Sequence, residues 1–162
     1  MGSRTVTDSR SILVHWMGPG DANAAGYVHG GTMMKLIDQV AGLAAVRHSR
    51  HRVVTAAVDR VAFLEPVHIG HLVTLRASVN AAWRSSMEVG VHVEAENPRT
   101  GEVSHTNSAY LTMVALDDDG RPATVPDLAA DSAEERRRES EAQLRRRNRL
   151  AERENMRAAR DA

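Results

Sequence analysis

The run His29-Gly30-Gly31-Thr32-Met33-Met34-Lys35-Leu36-Ile37-Asp38-Gln39-Val40-Ala41-Gly42-Leu43-Ala44-Ala45-Val46-Arg47-His48 decides how the rest of the chain must be arranged. Met33, Met34, Leu36, Ile37, Val40, Ala41, Leu43, Ala44 and Ala45 make it apolar almost all round at helical spacing. A helix of that kind belongs inside a fold, not on a half-wetted surface. It needs a cover on several sides.

Sequence on both sides of the helix supplies one. Upstream, Ile12, Val14 and Trp16 alternate with Leu13, His15 and Met17, a short strand broken by Gly18-Pro19-Gly20-Asp21. Downstream, Val53 to Phe63 is rich in β-branched residues, and Pro66 and Gly70 punctuate the turn after it. Val73, Leu75, Ala77, Val79 and Ala81 alternate with more polar neighbours. Met87, Val89, Val91, Val93 and Ala95 do so again, opposite Glu88, His92, Glu94 and Glu96. Asn97 to Gly101 reads as a hairpin turn, and a last strand from Val103 to about Leu116 ends at Asp117-Asp118-Asp119-Gly120. Strand, long buried helix, then four strands predicts an α+β chain of the hotdog kind. An antiparallel sheet wraps one long helix, each covering the other's apolar face. A single sheet of this sort leaves an edge strand and part of the helix unfinished, so at least a homodimer with a continuous sheet is expected.

The chain divides near Pro126, which predicts a hotdog domain over 1–126 and a charged helical extension over 127–162. In the extension, Leu144, Leu150 and Met156 do not sustain a heptad, so a solvated helix is expected rather than a coiled coil. Its arginine runs at 136–138 and 145–147 are interleaved with glutamates, and no aromatic residue is present for base stacking. The whole chain carries 21 Lys+Arg against 21 Asp+Glu, so no global field recruits nucleic acid or an anionic membrane. It has no cysteine, which excludes disulfides, thiolate metal sites and a cysteine nucleophile. No apolar run approaches the roughly 18 residues of a membrane span, and no signal-peptide stretch opens the chain. A cytoplasmic protein is expected.

Asp38 is the most informative single residue. It falls at helical spacing from Met34, Ile37, Ala41 and Ala45, which predicts a carboxylate in the buried stripe. Such a group must be hydrogen-bonded or shifted, and is a candidate general base or nucleophile. A surface pair with Lys35 is the plain alternative. His29-Gly30-Gly31 opens the helix, where unsatisfied N–H groups at its positive end suit a developing oxyanion. Asn23 could orient water or hold a carbonyl, or simply cap an Asx-turn. The remaining histidines show no zinc-binding spacing, so no metal is expected, and no nucleophile elbow or P-loop occurs.

The segment from Asp21 to Asp38, with Asn23, Gly26, His29, Gly30, Gly31 and Asp38 in an N-x-x-G-x-x-H-G-G frame, resembles the acyl-CoA hydrolases of the brain/cytosolic type. Gln39-Val40-Ala41-Gly42, Val53 to Asp59, Phe63-Leu64-Glu65-Pro66, Ser86-Met87-Glu88-Val89 and the charged tail look similar too, so the resemblance covers nearly the whole chain. It implies a hotdog enzyme that hydrolyses fatty acyl-CoA to free fatty acid and CoA. Asp38 would be general base or nucleophile, with Asn23, Gly30 and Gly31 around the carbonyl. In tandem-domain relatives one repeat supplies the asparagine and the other the aspartate. Here each site would combine Asn23 of one subunit with Asp38 of its partner, in a dimer or a hexamer built as a trimer of dimers. The resemblance places CoA along Val54, Thr55, Ala56 and Ala57, near His29, and at the turn Arg84-Ser85-Ser86. Arg84 and Arg60, near the expected groove, are candidates for its phosphates. No cofactor is implied, because CoA belongs to the substrate. Two competing readings remain at this point: an acyl-CoA sensor without turnover, and a dehydratase or hydratase acting on acyl thioesters, for which His29 would be the histidine.

Overall fold

The computed structural model describes residues 2–161. In chain order it forms β1 (Arg4–Thr5), α1 (Val6–Ser9), β2 (Ser11–Trp16), a 3-10 turn (Pro19–Asp21), α2 (Gly30–Ser49), β3 (Arg52–Val58), β4 (Leu72–Ala82), β5 (Ser86–Asn97), β6 (Glu102–Leu116), β7 (Leu128–Ala129) and α3 (Ala133–Arg160). Five strands make one antiparallel sheet in the order β2-β4-β5-β6-β3, and α2 touches all five. This is the hotdog fold.

Hydrophobic burial holds α2 in place. Ile37, Val40, Ala41 and Ala44 are fully buried against inward residues of the strands such as Leu75, Val93 and Leu111. Each large aliphatic side chain removed from water in this way contributes about 1.5–3 kcal/mol. The helix ends at Arg50, whose φ of 60° turns the chain into the left-handed region. Beside that end, His48 is fully buried and donates from Nε2 to the Pro126 carbonyl at 2.9 Å.

Two expectations need correction. The strand expected from Val53 to Phe63 stops at Val58. From Asp59 the chain leaves the ladder and lies along β6 by two isolated bonds, Asp59 N to Tyr110 O at 2.9 Å and Leu64 N to Thr106 O at 3.0 Å. The C-terminal helix is not solvated throughout. Ala142 is fully buried on the outer face of the sheet, and only the stretch from 150 to 160 is exposed at every residue. Its start is capped by Ser132 and Glu135, each bonding the other's backbone N–H.

The outer face explains the docking. Glu88 on β5 reads in sequence as a solvated residue, yet it has no exposed surface. Arg145 covers it with a forked pair at 2.7–3.2 Å and lies over the Tyr110 ring at 3.7 Å. Arg149 reaches Asp59 at 2.9 and 3.1 Å. Among the described residues no helix is long and apolar enough to cross a membrane.

Candidate active site

The entry to α2 is built by Asp21. Its carboxylate accepts from Gly18 N at 2.8 Å and meets His15 Nε2 at 3.1 Å, while its carbonyl accepts from His29 N at 2.7 Å. The Gly18 bond first, then His15, holds the Asp21 carboxyl below the usual carboxylate range. His29 is thereby fixed as the helix N-cap, and its Nδ1 accepts from Gly31 N at 2.9 Å. A side chain at position 31 would meet the imidazole at 3.0 Å, so it would crowd the ring that caps the helix. Gly30 N–H has no acceptor among the described residues, which leaves one donor at the positive end of the helix dipole. Phe63 packs beside Gly30, closing that end from the loop after β3.

Asn23 sits half-buried in the loop before the helix. Its Oδ1 accepts from Ala25 N at 2.9 Å and Tyr27 N at 3.1 Å, the Asx-turn arrangement. Those bonds occupy only the oxygen. The amide NH2 is the part of the side chain with hydrogen bonds still to give.

Asp38 is not in the buried stripe where helical spacing put it. It is exposed in the single protomer, one position round the helix from fully buried Ile37. One residue on a helix is about 100° of rotation, enough to move a side chain from core to flank. Leu43 and Val46, further round the same helix, and Val54 and Val58 on the open edge strand β3 are exposed as well. Thr55 Oγ1 donates to Asp38 Oδ1 and lies 3.4 Å from Met113 Sδ. The carboxylate is thus held by a hydroxyl in the middle of an apolar surface.

Gly30 and Asp38 lie eight residues apart on one helix, about 12 Å along its axis. Oxyanion donors must come within about 3 Å of the reacting oxygen. Within one protomer a carbonyl attended by both groups would have to bridge that separation. The strand and turn residues fare differently. Ser86 pairs with Val114, and Val114 with Val54, so the Arg84-Ser85-Ser86 turn and the start of β3 share one cross-strand row. Backbone bonds from Val125 N to Arg84 O and from Ala115 N to Ser85 O, both 3.0 Å, fix the turn, while the Arg84 side chain is exposed. On β3, Thr55 and Ala57 flank a bulge at Ala56, all on the free edge. The family resemblance puts Thr55 against CoA and gives no sign of its bond to Asp38. The only signal for it would have been the packing of β3 beside α2.

Comparison with known proteins fits this geometry. The family model described as the thioesterase superfamily matches residues 25–102. The cytosolic acyl coenzyme A thioester hydrolase of Rattus norvegicus is 37% identical over 136 residues, 83% of this chain but 36% of its own length. The chain thus spans about a third of that relative. A crystal structure of an apo-hexameric acyl-CoA thioesterase superposes with a TM-score of 0.90 at 37% identity, covering 94% of this chain and 97% of the other. An acyl-CoA hydrolase from Staphylococcus aureus, solved with butyryl coenzyme A, coenzyme A and coenzyme A disulfide, gives 0.88 at 32% identity over 97% and 96%. That enzyme has also been solved with an aspartate, an asparagine and a threonine each replaced by alanine. The three positions have the same mutual spacing as Asn23, Asp38 and Thr55 in this chain. The chain belongs to the thioesterase superfamily.

Proposed function

We propose that this chain hydrolyses fatty acyl-CoA, with each active site shared by two copies. The observation that carries the reading is the Asp38–Thr55 pair, a carboxylate aimed by a hydroxyl on an apolar flank that a second protomer would cover. Joining the free β3 edges of two protomers would continue the sheet and bury Val54, Val58, Leu43 and Val46. It would also bring Asn23 and the Gly30 N–H of one copy towards Asp38 of the other.

In such a site Asp38 acts as general base or as nucleophile. As a base, it takes a proton from water while the water oxygen bonds to the thioester carbon. The carbonyl electrons move onto oxygen, where Gly30 N–H and the Asn23 amide of the other copy donate to it. Collapse of the tetrahedral centre breaks the C–S bond, and the proton taken by Asp38 passes to the departing sulfur, leaving a fatty acid, the thiol of CoA and a regenerated carboxylate. Gly31 N–H joins only when the His29 imidazole releases it. Thr55 keeps Asp38 oriented. CoA would run along Val54, Thr55, Ala56 and Ala57, past His29, and to the turn Arg84-Ser85-Ser86, with Arg84 on a phosphate.

Assembly as three dimers is supported by a second open apolar surface at the opposite edge of the sheet. Ile12, Val14 and Trp16 face outwards on β2, with Trp16 72% exposed yet pinned by Nε1 to the Gly70 carbonyl at 3.1 Å. A closed hexamer of this kind needs two different contacts, and the two edges offer two.

The test is thiol release from a panel of acyl-CoAs by wild type and Asp38→Asn. Wild type is expected to turn over, and the variant to lose at least about 100-fold, the scale of a lost general base. Near-normal release in an assembled Asp38→Asn variant would overturn the assignment.

A further inference from the structure

The contacts of α3 are not spread evenly along the helix. Ala142, Arg145 and Arg149 point at the sheet, and Gln143 with Arg146 lies to one side. That side is occupied by Trp83, the residue between the end of β4 and the turn Arg84-Ser85-Ser86. Trp83 Nε1 donates to Gln143 Oε1 at 3.0 Å, and the Arg146 guanidinium lies 4.3 Å from the indole centre. Trp83 N also donates to Ser86 O at 2.8 Å, closing the turn on itself. A half-buried indole gripped on its edge and its face has no rotamer freedom left, so the turn that begins one residue later starts from a fixed point.

The grip is itself anchored. Glu88, two residues beyond the turn, has no exposed surface, takes the forked Arg145 pair and accepts from Asn80 Nδ2 at 3.3 Å. Asn80 in turn lies across Gly90, where an added Cβ would come within 2.6 Å of its Nδ2. A second tie, Arg149 to Asp59, holds the residue that follows β3. One helix thus clamps the flanks of both segments assigned to CoA, while it lies on the face of the sheet away from α2 and Asp38.

We propose that α3 is a positioning strap for the CoA end of the site, acting through Trp83 on the Arg84-Ser85-Ser86 turn. This rests on the acyl-CoA hydrolase reading above. Gln143 and Arg146 touch no substrate. They set where the Arg84 guanidinium stands, and hence how well the anionic nucleotide end of the substrate is held. The thioester carbon, attended from the other face, is unaffected.

The experiment compares wild type with the double variant Gln143→Ala/Arg146→Ala, which leaves the Glu88–Arg145 anchor intact. Arg146→Lys serves as the conservative control. Steady-state kinetics are run on an acyl-CoA and on the matching N-acetylcysteamine thioester, which lacks the nucleotide. Binding of CoA alone is measured by calorimetry. The strap predicts a KM and a CoA dissociation constant raised about three- to fivefold, the scale of a lost partly buried cation–π contact. It also predicts kcat within about twofold, an unchanged KM for the N-acetylcysteamine thioester, and partial recovery with lysine. Hydrogen exchange at 84–86 is expected to quicken. Unchanged CoA binding in the folded variant would overturn the strap, as would an equal loss on both thioesters. Wild type that neither binds CoA nor releases thiol would instead sink the hydrolase reading beneath it.

Discussion

The two long helices pack on opposite faces of one sheet and are held there by opposite means. Helix α2 is buried by Ile37, Val40, Ala41 and Ala44, apolar groups that need only to be out of water. Helix α3 buries only Ala142 among its apolar residues and is held by Arg145 on Glu88, Arg149 on Asp59 and Arg146 over Trp83. The first kind of packing is strong, non-directional and not screened by salt such as sodium chloride. The second is weaker and directional, because a guanidinium fork meets a carboxylate in few orientations. A helix that must fill space under a reactive group is made of the first kind. One that must hold a particular turn in a particular place suits the second.

The contrast can be broken at its strong side. Ile37→Ala is expected to cost about 2–5 kcal/mol, with a loss that is the same in low and high salt. Chemical denaturation at two salt concentrations checks it. A loss that shrinks in high salt would mean that α2 is not held by burial. On the other face, Glu88→Ala is expected to cost less, about 1–3 kcal/mol, because Arg145 is left without its partner but can still turn towards Glu141. That loss should shrink as salt rises, and a salt-independent value would erase the distinction between the two faces.

A smaller effect belongs to the seam between the α2 C-terminus and the segment at Pro126. His48 Nε2–H donates to the Pro126 carbonyl, so its buried Nδ1, which has no partner among the described residues, is a bare lone pair in the neutral ring. Protonation would bury an N–H with no acceptor. Burial pushes the His48 pKa below its ordinary value of 6.5, with nearby Arg4 adding to the shift and the Pro126 bond and Asp8 opposing it. The unfolded chain then binds a proton that the folded chain refuses. Stability is full above about pH 6.5 and falls as the pH drops towards the folded-state value. Thermal melting from pH 7.5 down to 5.5 should show this slope, and His48→Gln should flatten it. A slope untouched by the variant would assign it to other groups.

Most of the fold was legible because α2 is apolar all round and the strands alternate, patterns that survive without knowing any contact. The site was half legible. Gly30, Gly31 and Asn23 could be placed at a helix entry from glycine and Asx chemistry alone. Helical spacing puts Asp38 in the core because it gives a face only to within a residue, and one residue separates Ile37 from the flank. Thr55 on Asp38 and Arg145 on Glu88 were not legible at all, since each joins residues far apart in sequence. The charged tail hid its docking for the same reason. Its arginines look alike in sequence, and only the sheet decides which of them meet a carboxylate.

The shared site is the claim on which the rest depends, and mixing two disabled variants tests it most directly. Asp38→Asn and Asn23→Ala, each expected to be nearly inactive, are unfolded, combined and refolded together. A mixed dimer would then hold one intact site, with Asn23 from one chain and Asp38 from the other. Recovery of about a quarter of wild-type thiol release is the result expected for random pairing in equal amounts. No recovery, with mixed dimers present and stable, would mean that each protomer carries its own complete site, and would contradict a site divided between two subunits.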